Sequence, residues 1–231
     1  MMILARSSNG RTTVSGTVYL GSSPSLAADT ICTYFSRWIQ FESQVWYSYK
    51  VEKLKKISYE EVVSFFEKEH PIDETSVHFA GNYWAMKHLE WANDVAKGVW
   101  SLCELDSDDI FGIVFSRHTA EDSENILVDE EGMTLRNAVA YLKSHEREYA
   151  EQNPDCWSKI MYWQDKPFTP VLLSTKPTPN KGSRSNVNSE LGSLFHQDGL
   201  HRLIRWGLDG RFEEEAYSKG EKLTAFISGQ L

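Results

Sequence analysis

The sequence predicts an α+β protein in which a helix-rich N-terminal part packs on a small mixed sheet. Apolar residues recur at helical spacing in three stretches: residues 26–46, 58–70 and 134–152. Short apolar runs bounded by turn residues predict strands in three others: residues 110–115, 170–174 and 223–227. We assign residues 1–160 to a helix-rich aromatic region and residues 161–231 to a smaller unit, with one continuous domain as the alternative.

The N-terminal elements carry start and stop signals. Weak alternation in residues 1–20 predicts one strand or a hairpin, which the Gly-Ser-Ser-Pro-Ser cluster at 21–25 ends. Ser58 and Glu61 have the spacing of a capping box, so a helix should begin there. That helix should stop near His70, because the proline that follows disfavours a helical residue before it.

Aromatic residues concentrate in the helix at 26–46 and in residues 79–100. Trp84, His88 and Trp91 lie four and three residues apart and therefore share one helical face. Such a face can stack an aromatic ligand or base, but tryptophans at this spacing more often pack against a neighbouring helix. We therefore interpret both aromatic stripes as facing the core.

Acidic and apolar segments alternate in the middle of the chain. Residues 104–109 are acidic but lack the glycine and the distal glutamate of a calcium-binding loop, so we expect a solvated loop. Residues 110–115 are the clearest candidate for a buried strand, and Arg117 and His118 just past its end are candidate site residues. Thr134 should cap the helix that follows.

Residues 191–212 have the pattern of a strand, a tight turn and a helix. Gly199 has the freedom that such a turn needs, and the next backbone N–H groups would point out of a helix N-terminus, where an anion is stabilised. His201 and Arg202 would add donors and charge in the first helical turn. This pattern predicts a phosphate site; the alternative interpretation makes Asp198 a helix cap and leaves His201 and Arg202 in solvent.

The same segment resembles the ParB/sulfiredoxin-like superfamily. Residues 198–202, Asp-Gly-Leu-His-Arg, are similar to its Asp-Gly-x-His-Arg element, and an apolar helix and the strand-like run at 223–227 follow. The resemblance covers roughly residues 165–231 and implies a small α+β fold whose turn holds nucleotide phosphates. Members include nucleotide hydrolases, small-molecule kinases that use ADP or ATP, sulfinic acid reductases and nuclease-like proteins. Leu200 stands where the sulfiredoxin pattern has a cysteine, which excludes sulfinic acid reduction.

The leading hypothesis is a nucleotide-dependent enzyme, a phosphotransferase or a nucleotide hydrolase, that acts on a small molecule with ATP or ADP and Mg²⁺. Gly199, His201 and Arg202 would hold a phosphate, and His201 would also move a proton. Asp198 or Glu190 would act as general base or hold the Mg²⁺ ion. Three cations of the polar loop before the turn would close over the phosphates as a lid: Lys176, Lys181 and Arg184.

Two alternatives use other chemistry. A metal-dependent enzyme would bind iron(II) or zinc through His196 and Asp198, which lie on one side of an extended segment, with His201 as a third ligand. A non-catalytic nucleotide-responsive or protein-binding module would use the aromatic N-terminal helices as its partner surface. Nucleotide binding and metal analysis discriminate between these hypotheses.

Composition indicates which kinds of partner and which cellular compartment to expect. The formal charge of −9, from 24 basic and 33 acidic residues, argues against DNA or RNA as a partner, because phosphate contacts need clustered cations. Cys32, Cys103 and Cys156 match no zinc or redox spacing, so we interpret them as reduced core thiols of a cytoplasmic protein. No apolar run approaches the roughly 20 residues that span a bilayer, so we expect no membrane partner. The sequence indicates no oligomeric state.

Overall fold

The computed structural model describes residues 5–6, 12–13, 51–70, 79–116, 118–119, 126–128, 132–177 and 194–231. The chain divides into two compact units, Met1–Trp46 and Tyr47–Leu231. In the first unit, strands β1 (Ala5–Arg6) and β2 (Thr12–Thr13) pair antiparallel, within the stretch where the sequence predicts one strand or a hairpin. The helix expected at 26–46 lies outside the described residues.

The second unit mixes strands and helices along the chain, which confirms the α+β class. Its described strands are β3 (Glu52–Ile57), β4 (Trp100–Glu104), β5 (Val114–Phe115), β6 (His118–Thr119), β7 (Ile126–Val128), β8 (Met133–Thr134), β9 (Val171–Ser174), β10 (Phe195–Asp198) and β11 (Thr224–Ser228). Its described helices are α1 (Tyr59–Glu69), α2 (Phe79–Ala96), α3 (Ser107–Phe111), α4 (Leu135–Gln152), α5 (Pro154–Met161), α6 (Leu200–Leu208) and α7 (Glu214–Lys219). Within the described ranges, no helix combines the length and the apolar content that a membrane crossing requires.

Seven strands form one mixed sheet in the order β3-β4-β11-β9-β10-β5-β8. β11 pairs in parallel with β9, and β10 with β5, whereas the other neighbours are antiparallel. β6 and β7 form a separate antiparallel pair. The three strands that follow residue 160, β11, β9 and β10, therefore lie side by side in this sheet, between strands that precede residue 160.

Helices pack on both faces of the sheet, since successive residues of a strand point to opposite faces. In β9, Leu172 packs with Val62 of α1 and Leu89 of α2. Val171 and Leu173 belong instead to the larger apolar core that α4, α5 and α6 share. Burying an aliphatic side chain of this size stabilises the fold by about 1.5–3 kcal/mol, so the alternation holds helices against both faces.

Local capping signals set the start of two helices as predicted. Ser58 Oγ accepts a hydrogen bond from the Glu61 backbone N–H at 3.2 Å, and Glu61 Oε2 accepts one from the Ser58 N–H at 2.9 Å. This capping box begins α1, which ends at Glu69 with His70 as its C-terminal cap. Thr134 caps α4 in the same way, by accepting from the Asn137 N–H at 3.3 Å.

The strand predicted at 110–115 is wrong over most of its length. Asp106 Oδ1 accepts a hydrogen bond from the Asp109 N–H at 2.7 Å and starts α3, so the solvated loop expected at 104–109 is wrong there too. Ile110 and Phe111 complete this helix, and only Val114–Phe115 pairs as a strand. Burial alone does not distinguish the two structures, because an apolar run is equally buried as one helical turn or as a strand.

Candidate metal centre

The turn between β10 and α6 is built as the sequence predicts. Gly199 adopts φ +104°, in the left-handed region that favours glycine, and α6 begins at Leu200. A Cβ at Gly199 would lie 2.7 Å from Arg202 Nε and 2.8 Å from Val171 Cγ1. Backbone conformation and available space therefore both require glycine at position 199. The Arg202 side chain fills the space next to the turn.

Arg202 is paired within the protein. Its side chain is 2% exposed, and Nη2 donates to Asp198 Oδ2 at 2.8 Å while Nη1 donates to Thr169 Oγ1 at 2.9 Å. Glu69 Oε2 lies 3.7 Å from Nη1 on the other side. The guanidinium predicted to hold a phosphate thus makes its described contacts inside the fold.

Asp198 also joins α1 to this cluster. Its Oδ2 lies 3.2 Å from His70 Nε2, the ring of the residue that caps α1. Burial acts to raise the pKa of Asp198, but the charge of Arg202 and the His70 hydrogen bond outweigh it and hold the pKa well below its usual value. Burial acts to lower the pKa of His70, and the contact with Asp198 outweighs it and raises that pKa.

Three donor atoms from distant parts of the chain converge on the other side of α6. Cys156 Sγ lies 3.5 Å from His201 Nε2 and 3.7 Å from His118 Nε2, and one potential ligand atom from each residue lies within 4.8 Å of the other two. We call His118, Cys156 and His201 the donor cluster. Among the described residues, it is the group of histidine, cysteine and carboxylate side chains whose ligand atoms lie this close together.

Each member of the donor cluster sits near the start of an element or in a hairpin. Cys156 is the third residue of α5, which Pro154 begins, and His201 is the second residue of α6. His118 lies in β6, the first strand of the separate β6–β7 pair. Because α5 packs against α6, their first turns bring Cys156 and His201 together.

The residues around the donor cluster favour the protonation states that bind a metal ion. Burial first and the neighbouring His118 second lower the pKa of His201 to about 3, so the imidazole is neutral at physiological pH. Tyr149 donates its hydroxyl to Cys156 Sγ at 3.2 Å. Burial raises the pKa of Tyr149, so the hydroxyl stays protonated and can donate to a thiolate.

The spacing of the donor cluster matches a tetrahedral ion. Zinc lies about 2.3 Å from a thiolate sulfur and about 2.0–2.1 Å from an imidazole nitrogen, which places the sulfur about 3.6 Å from each nitrogen in tetrahedral geometry. The observed sulfur–nitrogen distances of 3.5 and 3.7 Å fall on either side of this value. The two sulfur–nitrogen distances are therefore compatible with a tetrahedral ion, and the two nitrogens lie within 4.8 Å of each other.

Apart from His118 and His201, none of the predicted site residues that the structure describes belongs to the donor cluster. His201 meets Cys156 and His118 rather than His196 and Asp198, and the reason at Asp198 is its engagement with Arg202 and His70. Lys176 is exposed, after β9. Three predicted residues lie outside the described ranges: Lys181, Arg184 and Glu190. Arg117 also lies outside them, whereas His118 is a cluster member.

His196 lies on β10 with its ring edge against Phe115, 5.2 Å between ring centroids. Its Nε2 is buried and has no hydrogen-bond partner among the described residues. Burial lowers the pKa of His196 to about 3, so this ring too is neutral.

Sequence reasoning selected His201 and His118 but interpreted Cys156 as a core thiol. Along the chain, His118 is 38 positions and His201 is 45 positions from Cys156. Zinc patterns that are visible in a sequence have ligand pairs only a few residues apart. The available signal was a cysteine in the first turn of a helix that a proline begins.

No curated protein and no solved structure shows significant similarity to the chain. The resemblance of residues 198–202 to the ParB/sulfiredoxin-like superfamily stays a prediction. A family model described as a family of unknown function (DUF6309) matches residues 51–231, so the chain belongs to that family.

Proposed function

We propose that the protein is a metal-dependent enzyme in which His118, Cys156 and His201 bind a zinc(II) ion that activates water for hydrolysis of a small-molecule substrate. The observation that carries the proposal is the spacing of the three donor atoms, 3.5 and 3.7 Å from sulfur to nitrogen. Metal dependence was the alternative to nucleotide chemistry in the sequence, with a different ligand set around His201.

The cysteine favours zinc over iron(II) and magnesium. Thiolate sulfur is a soft ligand that selects zinc and copper(I), whereas magnesium prefers carboxylate and carbonyl oxygens. The iron(II) alternative depends on two histidines and a carboxylate, and Asp198 is held by Arg202 instead. One thiolate and two neutral imidazoles would leave a single positive charge on a zinc centre.

The number of donors favours a catalytic centre. Structural zinc sites are closed by four protein ligands, whereas catalytic sites use three and keep the fourth position for water or substrate. Three donors converge among the described residues. A zinc ion held this way would lower the pKa of its bound water to about 7 and supply a hydroxide nucleophile at neutral pH.

Nucleotide binding at the turn between β10 and α6 has less support. The predicted phosphate contact Arg202 is 2% exposed and paired with Asp198 and Thr169. The Nη atoms would therefore have to give up these partners to bind a phosphate, and only the buried Nε has no hydrogen-bond partner among the described residues. Thermal stabilisation by ATP or ADP with Mg²⁺, lost in Arg202→Ala, would favour the nucleotide hypothesis over the metal centre.

Metal binding is tested on metal-free protein titrated with Zn²⁺ against a chromophoric chelator. We expect one ion per chain and at least a 100-fold loss of affinity in Cys156→Ser, His118→Ala and His201→Ala. Cys103→Ala and His145→Ala are matched controls, because Cys103 lies in β4 and His145 on the exposed side of α4. Zinc binding that survives Cys156→Ser would contradict the proposed ligand set.

The open position is tested with cobalt(II) in place of zinc. A cobalt–thiolate absorption band should appear with wild-type protein and be absent in Cys156→Ser. Added cyanide or azide should then change the visible spectrum, because a small anion replaces the bound water. A spectrum that shows the thiolate band but does not respond to anions indicates a closed, structural site and sinks the enzymatic half of the proposal.

A further inference from the structure

We propose that the open coordination position of the zinc ion faces His196, and that His196 Nε2 accepts a hydrogen bond from the water held there. This inference rests on the proposed function, because it concerns the water of the proposed ion. His196 is then a positioning residue, since it orients the nucleophile without binding the metal.

His196 lies on the face of the sheet that carries the donor cluster. Its ring packs on Phe115, and Phe115 and Cys156 belong to the same apolar core between the sheet and helices α4 to α6. His196 also interacts electrostatically with both histidines of the donor cluster, His118 and His201. The turn at Gly199 connects β10 directly to the helix that carries His201.

The Nε2 atom of His196 requires a partner that the described side chains do not supply. It is buried, and its edge-on neighbour Phe115 offers no hydrogen-bonding group. Buried polar atoms in folded proteins nearly always have a partner in protein or ordered water. Because the ring that carries this nitrogen lies against the core that also contains Cys156, we infer that its partner is a water bound by the metal.

His196 is outside the ligand shell itself. It does not belong to the group of donors that lie within 4.8 Å of one another. A bound water lies about 2 Å from zinc, and its hydrogen bond to an acceptor spans about 2.8 Å more. An acceptor one water beyond the ion therefore fits a residue near the donor cluster but separate from it. The tautomer protonated at Nδ1 leaves the Nε2 lone pair free to accept.

The test is a long-range ¹H–¹⁵N correlation spectrum of the histidine rings, recorded for the full chain in metal-free and zinc-loaded states. On zinc loading, Nε2 of His118 and His201 should move to the shift of a metal-bound nitrogen. His196 Nε2 should move from the shift of an unbonded nitrogen to that of a hydrogen-bond acceptor. A metal-bound shift or no change at His196 overturns the inference while leaving the metal centre intact.

Variants provide an independent measurement. His196→Phe keeps a ring of similar size against Phe115 and removes the acceptor, so its zinc affinity should stay within about tenfold of wild type, the low end of the loss expected for groups outside the ligand shell. His201→Phe should lose at least 100-fold. Equal losses in the two variants would make His196 a direct ligand and the inference wrong. If zinc binds neither wild type nor variants, the proposed function itself fails.

Discussion

Arg202 and His201 are neighbours on α6, yet they belong to two clusters of opposite chemistry. Around Arg202, a cation meets the carboxylates of Asp198 and Glu69, and Asp198 also contacts His70, so opposite charges are paired inside the protein. Around His201, two imidazole nitrogens and a sulfur lie within 4.8 Å of one another. The first cluster holds a cation with its anionic partners, whereas the second is the proposed metal centre, in which a bound cation would contact all three donor atoms.

This difference separates structural polar groups from candidate functional ones. Buried charges that pair within a fold link its elements: Arg202 connects α6 to the segment before β9 through Thr169 and to the end of α1 through Glu69. The contacts around His201 run from the Cys156 sulfur to two imidazole nitrogens, which is a weaker kind of hydrogen-bonding contact than an arginine–carboxylate pair. Removing one member from each cluster tests this difference.

The largest expected effect is on stability, from Arg202→Met. This substitution leaves Asp198 buried without its cation, and breaking a buried ion pair in this way costs about 3–5 kcal/mol. The measurement is the free energy of unfolding by chemical denaturation. Zinc affinity of the folded variant should stay close to wild type, because Arg202 is not a member of the donor cluster.

The matched control is Arg147→Met. Arg147 and Glu151 are also an arginine and a carboxylate four residues apart, both on α4, but the arginine side chain is 91% exposed. Exposed pairs contribute about 0.2–1 kcal/mol, so this variant should unfold almost as wild type does. Equal losses in the two variants would mean that the Arg202 cluster is not a buried structural element. In Arg202→Met, a second change, Asp198→Asn, should recover part of the lost stability.

The fold was predictable where a local signal decides the structure. Ser58, Thr134 and Gly199 each act on the next three residues, and the elements they begin were predicted correctly. The failure at 110–115 has the opposite cause. Asp106 caps a helix there, and an apolar run of six residues gave no indication of whether a helix or a strand buries it.

The candidate site was only partly predictable, because its members meet through packing. His201 was selected for its place after the glycine turn, and His118 for its place after a predicted strand. Cys156 carried no local signal of metal binding, since its partners come from the β6–β7 hairpin and from α6. Arg202 was predicted to bind a phosphate from its position alone, and the carboxylates that engage it come from β10 and α1.

A smaller effect on the free energy of unfolding is expected when zinc binds to the donor cluster. Zinc should stabilise the folded protein by about 2.7 kcal/mol when its free concentration is 100 times the dissociation constant, because it binds the folded donors preferentially. Thermal unfolding with zinc or with a chelator measures this. Cys156→Ser should abolish the stabilisation by zinc, whereas Arg202→Met should retain it at its lower melting temperature. Equal stabilisation of Cys156→Ser and wild type would rule out the donor cluster.

The smallest effect comes from the His70–Asp198 contact at the edge of the Arg202 cluster. In the folded state the pKa of His70 is raised, because the contact with Asp198 outweighs the effect of burial. The contact therefore contributes fully to the free energy of unfolding below about pH 6.5, the usual pKa of histidine. That contribution is lost as the pH rises through the folded-state pKa.

In metal-free protein, the difference in free energy of unfolding between wild type and His70→Gln should therefore shrink between pH 6 and pH 9, by no more than about 1 kcal/mol. Chemical denaturation across this range measures it. His145→Gln is the control, because the His145 ring contacts the Tyr141 backbone carbonyl rather than a carboxylate. A difference that grows with pH would mean that Asp198 does not favour the protonated imidazole. The Arg202 cluster would then consist of Arg202 and its two carboxylates, with no electrostatic contribution from His70.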